Sequence, residues 1–322
     1  TTRTPEFERT FIYKDFRTEV AKIFKERLER GRVLVDGNYQ TLFGNPVEFL
    51  FAVTHKDYKV EKPLALTGDD VYSSYYRDGD TVLCVRSPHI TMGNLYLAKN
   101  TQNLNIDIYF NLNPNILCVN AIGNNIQQQL NGCDYDSDSV LVVWDYMLRR
   151  MSAMIADAFP IPVCKIDPMG KASYTNTPES LAQLDQKIAE NKIGEIINLS
   201  QFLNSLFWDE FHWMDCFHNR NEFHKLKPLY YEICILAVLS GMEIDKAKRL
   251  YDVDTNKVLR QLKQRKDAFK KAHGGKLPAF YEFMTEGKVT TKSDKNVKLN
   301  TPMCHIYDIV ESLNTRSEYT HL

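Results

Sequence analysis

Three aspartates at alternate positions are the sharpest chemical feature of the sequence. Asp134, Asp136 and Asp138 stand in the run Asn131-Gly-Cys-Asp-Tyr-Asp-Ser-Asp138, which leads into the apolar segment Val140–Trp144. Like charges at such close range disfavour one another's ionisation, and a bound cation offsets that cost. Ligation by oxygen alone favours a hard divalent ion, Mg²⁺ or Ca²⁺, with Mn²⁺ as an alternative. We therefore expect the three carboxylates to hold a metal ion.

Two simpler interpretations of the same residues stay open. A calcium-binding EF-hand loop also begins with alternating acids, but it has Gly at its sixth position and Glu at its twelfth. Those positions hold Ser139 and Asp145, and no helix is predicted before the loop. A solvated acidic turn is the other alternative, and it leaves the following apolar strand unexplained.

The segments around the aspartates predict a β-rich region followed by helices. An amphipathic helix is predicted at residues 16–28, and Asp36-Gly37-Asn38 predicts a turn. Short apolar runs between turn residues predict strands at 32–35, 47–53, 81–85, 95–97, 106–110, 116–120 and 140–144. Helical spacing of apolar residues predicts helices at 147–159, from Pro178, at 229–239 and at 245–271, the last with a break near Val253.

These elements predict an α+β chain in three parts. Residues 1–29 form a helical lead-in, residues 30–146 a β-barrel that carries the aspartates, and residues 147–322 a helical region with a basic segment and a polar tail. The length of 322 residues is compatible with two domains or one large one.

Composition narrows the class of protein. With 43% hydrophobic residues and seven cysteines, the chain is neither disordered nor a disulfide scaffold, and it has no Cys-x-x-Cys pair for zinc. No stretch approaches the roughly 20 apolar residues of a membrane helix, so we expect a cytoplasmic protein without a membrane partner. Because the chain begins at Thr1, we expect a fragment or a processed product.

Charge is balanced overall but separated along the chain. There are 40 basic and 41 acidic residues, for a net charge of −1. Basic residues concentrate in one span, where they are either a solvated helix face or a surface for nucleic-acid phosphates. They are Lys257, Arg260, Lys263, Arg265, Lys266, Lys270, Lys271 and Lys276, and Lys288, Lys292, Lys295 and Lys298 follow.

At the aspartates the sequence resembles the catalytic double-psi β-barrel of RNA polymerases. The largest subunit of multi-subunit enzymes carries N-A-D-F-D-G-D, and the cellular RNA-dependent RNA polymerases of RNA silencing carry S-G-x-D-L-D-G-D followed by W-D. Short single-chain phage relatives are also similar. The resemblance implies that Asp134, Asp136 and Asp138 are catalytic and hold Mg²⁺. Ser137 stands where the family has Gly.

Other segments are similar to the same families, in family order, over residues 30–250. Residues 31–50 resemble the first barrel strand and its following turn, and residues 85–94 resemble R-x-P-x-x-H and R-N-P-x-x-x-x-G-D. Residues 191–198 and 240–248 resemble N-x-L-G-x-I-x-N and S-x-A-V-D-F-P-K. The resemblance implies that Arg86 and His89 bind the incoming nucleotide. Taken alone, Arg86 could pair with an acid, His89 could be a core histidine, and Asp245 with Lys248 could be an ordinary helical ion pair.

The resemblance implies RNA synthesis from NTPs on a nucleic-acid template, in a bacterial or phage-infected cell. Polymerases of this kind use two barrels, and the sequence has room for one, so we expect another polypeptide or segment to supply the second. Two alternatives remain: a Mg²⁺-dependent nuclease or phosphotransfer enzyme, and a non-catalytic nucleic-acid-binding subunit.

Overall fold

The computed structural model describes residues 4–155, 158–169, 175–189, 191–211, 220–278 and 297–316. The chain separates into two compact units. The first unit combines residues 1–34, 201–230 and 256–322, and the second combines residues 35–200 and 231–255. The three-part division predicted from the sequence stays a prediction.

The second unit contains a closed barrel of six strands. They are β1 (Gly37–Phe43), β2 (Asp70–Tyr72), β3 (Thr81–Val85), β4 (Tyr96–Asn100), β5 (Ile116–Val119) and β6 (Ser139–Val143). Around the barrel their order is β1-β5-β2-β4-β3-β6, and β6 closes onto β1. The predicted β-barrel followed by helices is confirmed in this form.

The strand pairing repeats itself within the barrel. β1 pairs in parallel with β5, and β2 pairs in parallel with β4, while the other four contacts are antiparallel. Exchanging β1 with β4, β2 with β5 and β3 with β6 leaves this pattern unchanged. The first three strands and the last three therefore form two topologically equivalent halves.

The barrel interior is filled by alternate residues of each strand, as the two-residue period of a strand requires. In β6, Val140 and Val142 are buried, while Ser139 at the start of the strand is exposed. The interior cluster includes Leu42, Val71, Val82, Cys84, Tyr96, Ala98, Leu117, Val119, Val140 and Val142. The apolar segment after the aspartates is thus a barrel strand that positions the loop before it.

Three of the predicted strands are wrong. Residues 47–53 lie in helix α2 (Pro46–Thr54), which begins with Pro, a residue suited to the first helical turn. Residues 106–110 overlap helix α3 (Leu104–Tyr109), whose first turn is capped by the side chain of Asn103. Residues 32–35 belong to no strand, and β1 begins at Gly37, inside the predicted turn.

Helices make up most of the other residues that the structure describes. They are α1 (Phe11–Glu29), the short α4 (Ile126–Gln129), α5 (Tyr146–Ile155), α6 (Pro178–Ala189), α7 (Ile193–Glu210), α8 (Arg220–Ile244), α9 (Thr255–Ala272) and α10 (Pro302–Arg316). The predicted break near Val253 falls between a short 3₁₀ helix, Asp245–Ala247, and α9. In the first unit, Leu299 and Cys304 are buried against Leu206 and Phe269.

The described helices include no segment that combines the length and the apolar character needed to cross a lipid bilayer.

Candidate metal centre

The three aspartates lie in a tight loop that enters β6, which we call the acidic loop (residues 131–138). Three of its residues have positive φ angles: Asn131 at 56°, Gly132 at 71° and Ser137 at 113°. Its last residue is tied to the barrel, because the carbonyl of Asp138 accepts a hydrogen bond of 2.8 Å from the Leu42 amide of β1. The end of the acidic loop is thereby anchored to β1.

The loop brings its carboxylates together. Asp134, Asp136 and Asp138 each offer an oxygen that lies within 4.8 Å of the other two. One Asp138 carboxylate oxygen also accepts a hydrogen bond of 2.8 Å from the Asp134 amide. The exposed side-chain fraction rises from 22% for Asp138 to 45% for Asp134 and 61% for Asp136. The three acids therefore form one cluster that is fixed at Asp138 and open to solvent at Asp136.

Arg86 holds the acidic loop at two points. Its guanidinium lies 2.8 Å from a carboxylate oxygen of Asp138 and donates a second hydrogen bond, of 3.0 Å, to the carbonyl of Asn131. The side chain is only 11% exposed. The ion pair that the sequence left open for Arg86 is present, and one planar group spans the first and last residues of the loop.

Further hydrogen bonds join the segment after Arg86 to the acidic loop and the helix before it. The side chain of Asn131 donates to the carbonyl of Pro88 at 2.8 Å. Asn94, which is buried, donates to the carbonyl of Gln129 at 3.1 Å, and Gln129 donates to the carbonyl of Leu95 at 2.8 Å. The connection between β3 and β4 thus supports the start of the acidic loop and the helix before it.

Lys248, which the sequence offered only as the partner of Asp245 in a helical ion pair, lies instead against the aspartates of the acidic loop. Its ammonium group lies 2.9 Å from a carboxylate oxygen of Asp136 and 3.1 Å from one of Asp134. Hydrogen bonds to Asp136 and Asp134 raise the pKa of Lys248, and hydrogen bonding with Asp136 and Lys248 lowers the pKa of Asp134. The sequence feature that could have indicated a role for Lys248 is the resemblance of residues 240–248 to a polymerase motif.

His89 lies three residues beyond Arg86. The residue is exposed, yet desolvation by the surrounding protein lowers the pKa of its imidazole to about 4. The ring is therefore neutral at pH 7. Among the described hydrogen bonds and ion pairs, those of the three aspartates involve Arg86 and Lys248 and do not involve His89.

A cleft of about 400 Å³ opens beside the acidic loop. One wall includes Asn131 to Asp134, and the other includes Gly241, Lys248 and Tyr251. The second wall is held in place by a hydrogen bond of 2.7 Å from the Met169 amide to the carbonyl of Leu250. Lys248 and Asp134 therefore face a space large enough for a small ligand.

The predicted nucleic-acid-binding residues lie on α9, which belongs to the first unit except for its first residue, Thr255. Lys257, Arg260, Arg265 and Lys271 are exposed, and Lys263, Lys266 and Lys270 are partly buried. Desolvation, with a smaller contribution from the charge of Lys263, lowers the pKa of Lys266. In the second basic run, Lys298 pairs with Asp308 at 2.8 Å, and Lys288, Lys292 and Lys295 lie outside the described residues.

The donor set of the acidic loop fits a hard divalent cation. It offers carboxylate oxygens alone, which suit Mg²⁺, Mn²⁺ or Ca²⁺, and two positive side chains already contact the three carboxylates, Arg86 at Asp138 and Lys248 at Asp134 and Asp136. The EF-hand alternative is wrong, because residues 139–143, the sixth to tenth positions of that motif's 12-residue ion-binding loop, form a strand of the barrel.

No protein-family model matches the chain, and no curated protein matches it. Among solved structures, the chain is similar to the RNA-dependent RNA polymerase QDE-1 from Thielavia terrestris, with a TM-score of 0.44 and 14% sequence identity. The match covers 96% of this chain and 33% of that one, so the chain spans about a third of the length of that polymerase.

Proposed function

We propose that the chain is a nucleotidyltransferase that synthesises RNA from NTPs on a nucleic-acid template, as the catalytic half of a two-barrel RNA polymerase. The observation that carries the proposal is the convergence of Asp134, Asp136 and Asp138 within 4.8 Å on one loop of a closed barrel. It is supported by the resemblance of this loop, and of the segments that pack against it, to polymerase motifs.

In this mechanism the aspartates hold Mg²⁺ or Mn²⁺. A divalent ion at such a site activates an attacking hydroxyl and neutralises charge on leaving pyrophosphate. Asp138 is the fixed ligand, since Arg86 and the Asp134 amide both bind its carboxylate. Asp136, the most exposed of the three, is the ligand that faces solvent and an arriving substrate. The cleft between the acidic loop and Lys248 is the place for the nucleotide.

Arg86 in this proposal acts in two ways. Its hydrogen bonds to Asn131 and Asp138 position the loop, and its remaining donors can face the nucleotide. His89 follows on the same segment, and a neutral imidazole there can accept or donate a hydrogen bond without adding charge.

We further propose that the barrel is of the double-psi type. Support comes from the repeated pairing pattern, in which β1–β3 and β4–β6 form equivalent halves. Both parallel pairs, β1 with β5 and β2 with β4, join a strand of one half to a strand of the other. In addition, a short helix follows the first strand of each half, α2 after β1 and α3 after β4.

The template and product are proposed to contact the basic residues of α9. Lys257, Arg260, Arg265 and Lys271 are exposed, and phosphate contacts by such residues produce an affinity that falls steeply with salt. Lys263, Lys266 and Lys270 contribute to the same positive field from partly buried positions.

A second barrel, from another polypeptide or segment, is proposed as the partner. The helices α2 and α3, which contact each other, present large apolar side chains to solvent. Val53 is 68% exposed, Leu104 72% and Tyr109 64%. Contiguous exposed apolar groups of this kind are typical of a surface that another protein covers.

The proposal is tested by RNA synthesis with the protein isolated together with the polypeptides that copurify with it. We expect incorporation of labelled NTPs on single-stranded RNA or DNA in Mg²⁺, and a loss of at least about 100-fold with Asp136→Asn. Asp78→Asn, an aspartate of another barrel loop, is the matched control and keeps full activity.

Three results would overturn the proposal. Equal synthesis by Asp136→Asn and the unaltered protein would separate the acidic loop from catalysis. Template cleavage in place of synthesis would indicate a nuclease, and template binding without either reaction would indicate a non-catalytic subunit.

A further inference from the structure

Lys248 contacts two of the three aspartates that would hold a metal ion. Its ammonium nitrogen lies 2.9 Å from Oδ2 of Asp136 and 3.1 Å from Oδ2 of Asp134. Lys248 comes from the far wall of the cleft, more than 100 residues further along the chain. Its contact with the acids is therefore produced by the fold and not by local sequence.

The two cations of the site differ in how firmly they are held. Arg86 is 11% exposed, and its planar group binds both Asp138 and the backbone of Asn131. Lys248 is 57% exposed, and its charge sits at the end of a flexible four-carbon stem. Exposed lysine pairs are weak and are screened by salt. Of the two cations, Lys248 is the one that can leave.

Moving the Lys248 ammonium away from the aspartates changes the net charge of the site. With Arg86 and Lys248 both in place, the three ionised carboxylates are left with a net charge of −1. When Lys248 is withdrawn, the net charge is −2, which is the charge that a divalent ion neutralises. An ammonium group and a divalent ion on the same two carboxylates would also repel each other.

We propose that Lys248 is a tethered competitor of the metal ion. Its ammonium holds Asp134 and Asp136 together until a divalent ion displaces it, and so it raises the metal concentration at which the site fills. Asp245 lies three residues before Lys248 and lines the same cleft, so it offers the displaced ammonium another carboxylate. The inference rests on the metal site of the proposed function.

The test measures Mn²⁺ binding directly, by electron paramagnetic resonance of free Mn²⁺ and by calorimetry, without any assay of activity. Lys248→Met keeps the length of the stem and removes the charge. We expect this variant to bind Mn²⁺ about three- to tenfold more tightly than the unaltered protein. Lys248→Arg, which keeps the charge, is expected to remain close to the unaltered protein.

Lys246→Met is the matched control, since Lys246 lies two residues before Lys248 and its ammonium group is 3.7 Å from Glu243. It is expected to leave Mn²⁺ affinity unchanged. Circular dichroism melts of each variant verify that the fold is retained.

The outcomes separate this inference from the proposed function. If the unaltered protein and Lys248→Met bind Mn²⁺ equally, or if Lys248→Met binds more weakly, the competitor role is wrong and the metal site stands. If neither protein binds Mn²⁺, the metal site is wrong and the competitor role falls with it. If Lys248→Met binds Mn²⁺ more tightly than the unaltered protein while Lys248→Arg and Lys246→Met do not, the result supports both the metal site and the competitor role.

Discussion

The loop that enters β3 and the loop that enters β6 occupy equivalent places in the two halves of the barrel, and both contain aspartates. In the first of these, residues 73–80, each acid is used by backbone amides. Asp78 accepts a hydrogen bond of 2.8 Å from the Gln102 amide, and Asp80 accepts one of 2.9 Å from the Arg77 amide. In the acidic loop, by contrast, the carboxylates face one another and meet two cations. Acids at this topological position therefore do not by themselves form a cluster of converging carboxylates.

The two loops are also tied to the barrel by different groups. Asn100 at the end of β4 is fully buried and donates to the carbonyls of Tyr76 and Arg77 at 3.0 and 3.1 Å. The acidic loop is held instead by the guanidinium of Arg86. A neutral amide suffices where the carboxylates are already satisfied, whereas a loop of converging negative charges needs a positive anchor. The charged anchor thus accompanies the loop whose carboxylates converge, and the neutral anchor accompanies the loop whose carboxylates already accept backbone hydrogen bonds.

The largest expected effect separates the two loops by metal binding. Asp136→Asn should weaken Mn²⁺ binding by at least about 100-fold, because a ligand is lost. Asp78→Asn should leave the affinity unchanged within about twofold. The same pair can be compared in thermal melts, where Mn²⁺ should raise the melting temperature of Asp78→Asn and of the unaltered protein but not that of Asp136→Asn. If Asp136→Asn and Asp78→Asn lose Mn²⁺ affinity equally, the acidic loop is not the specific metal-binding loop.

The next effect concerns the anchor of the acidic loop. Arg86→Leu leaves the carboxylate of Asp138, which is 22% exposed, without its cation. We expect the free energy of unfolding to fall by about 2–3 kcal/mol, measured by urea denaturation. Arg77→Leu is the control in the other loop, since Arg77 is exposed and contributes its backbone amide to Asp80. That control should change stability by less than about 0.5 kcal/mol. A loss of the same size in both variants would mean that Arg86 has no special role in holding the loop.

Sequence patterns predicted the clustering of the three aspartates better than they predicted the elements around them. The alternating aspartates and the strand after them are both local signals, and both are present in the structure. The helices α2 and α3 were predicted as strands, because short apolar runs fit either structure and packing decides between them. Lys248 could not be paired with Asp134 and Asp136 from the sequence, since more than 100 residues separate them and only the fold brings them together.

The smallest expected effect concerns the backbone of the acidic loop. Ser137 has a φ of 113°, a region that side chains with a Cβ rarely adopt, and the resembling polymerase motifs have Gly at this position. Ser137→Gly should therefore stabilise the protein, by about 1 kcal/mol or less, since the strain that is relieved exceeds the added flexibility of the unfolded chain.

Gly132, with a φ of 71°, is the opposite case in the same loop. Gly132→Ala should destabilise the protein by about 1 kcal/mol, although nothing lies within 4 Å of the added Cβ, because the conformation itself is unfavourable for alanine. The two variants are compared in urea denaturation at equal pH and salt. If Ser137→Gly lowers stability, the positive φ angle at Ser137 is not a source of strain, and the hydroxyl-bearing side chain is favoured at that turn. If both variants behave as expected, the acidic loop stores strain at Ser137, in addition to the charge repulsion that Arg86 and Lys248 offset.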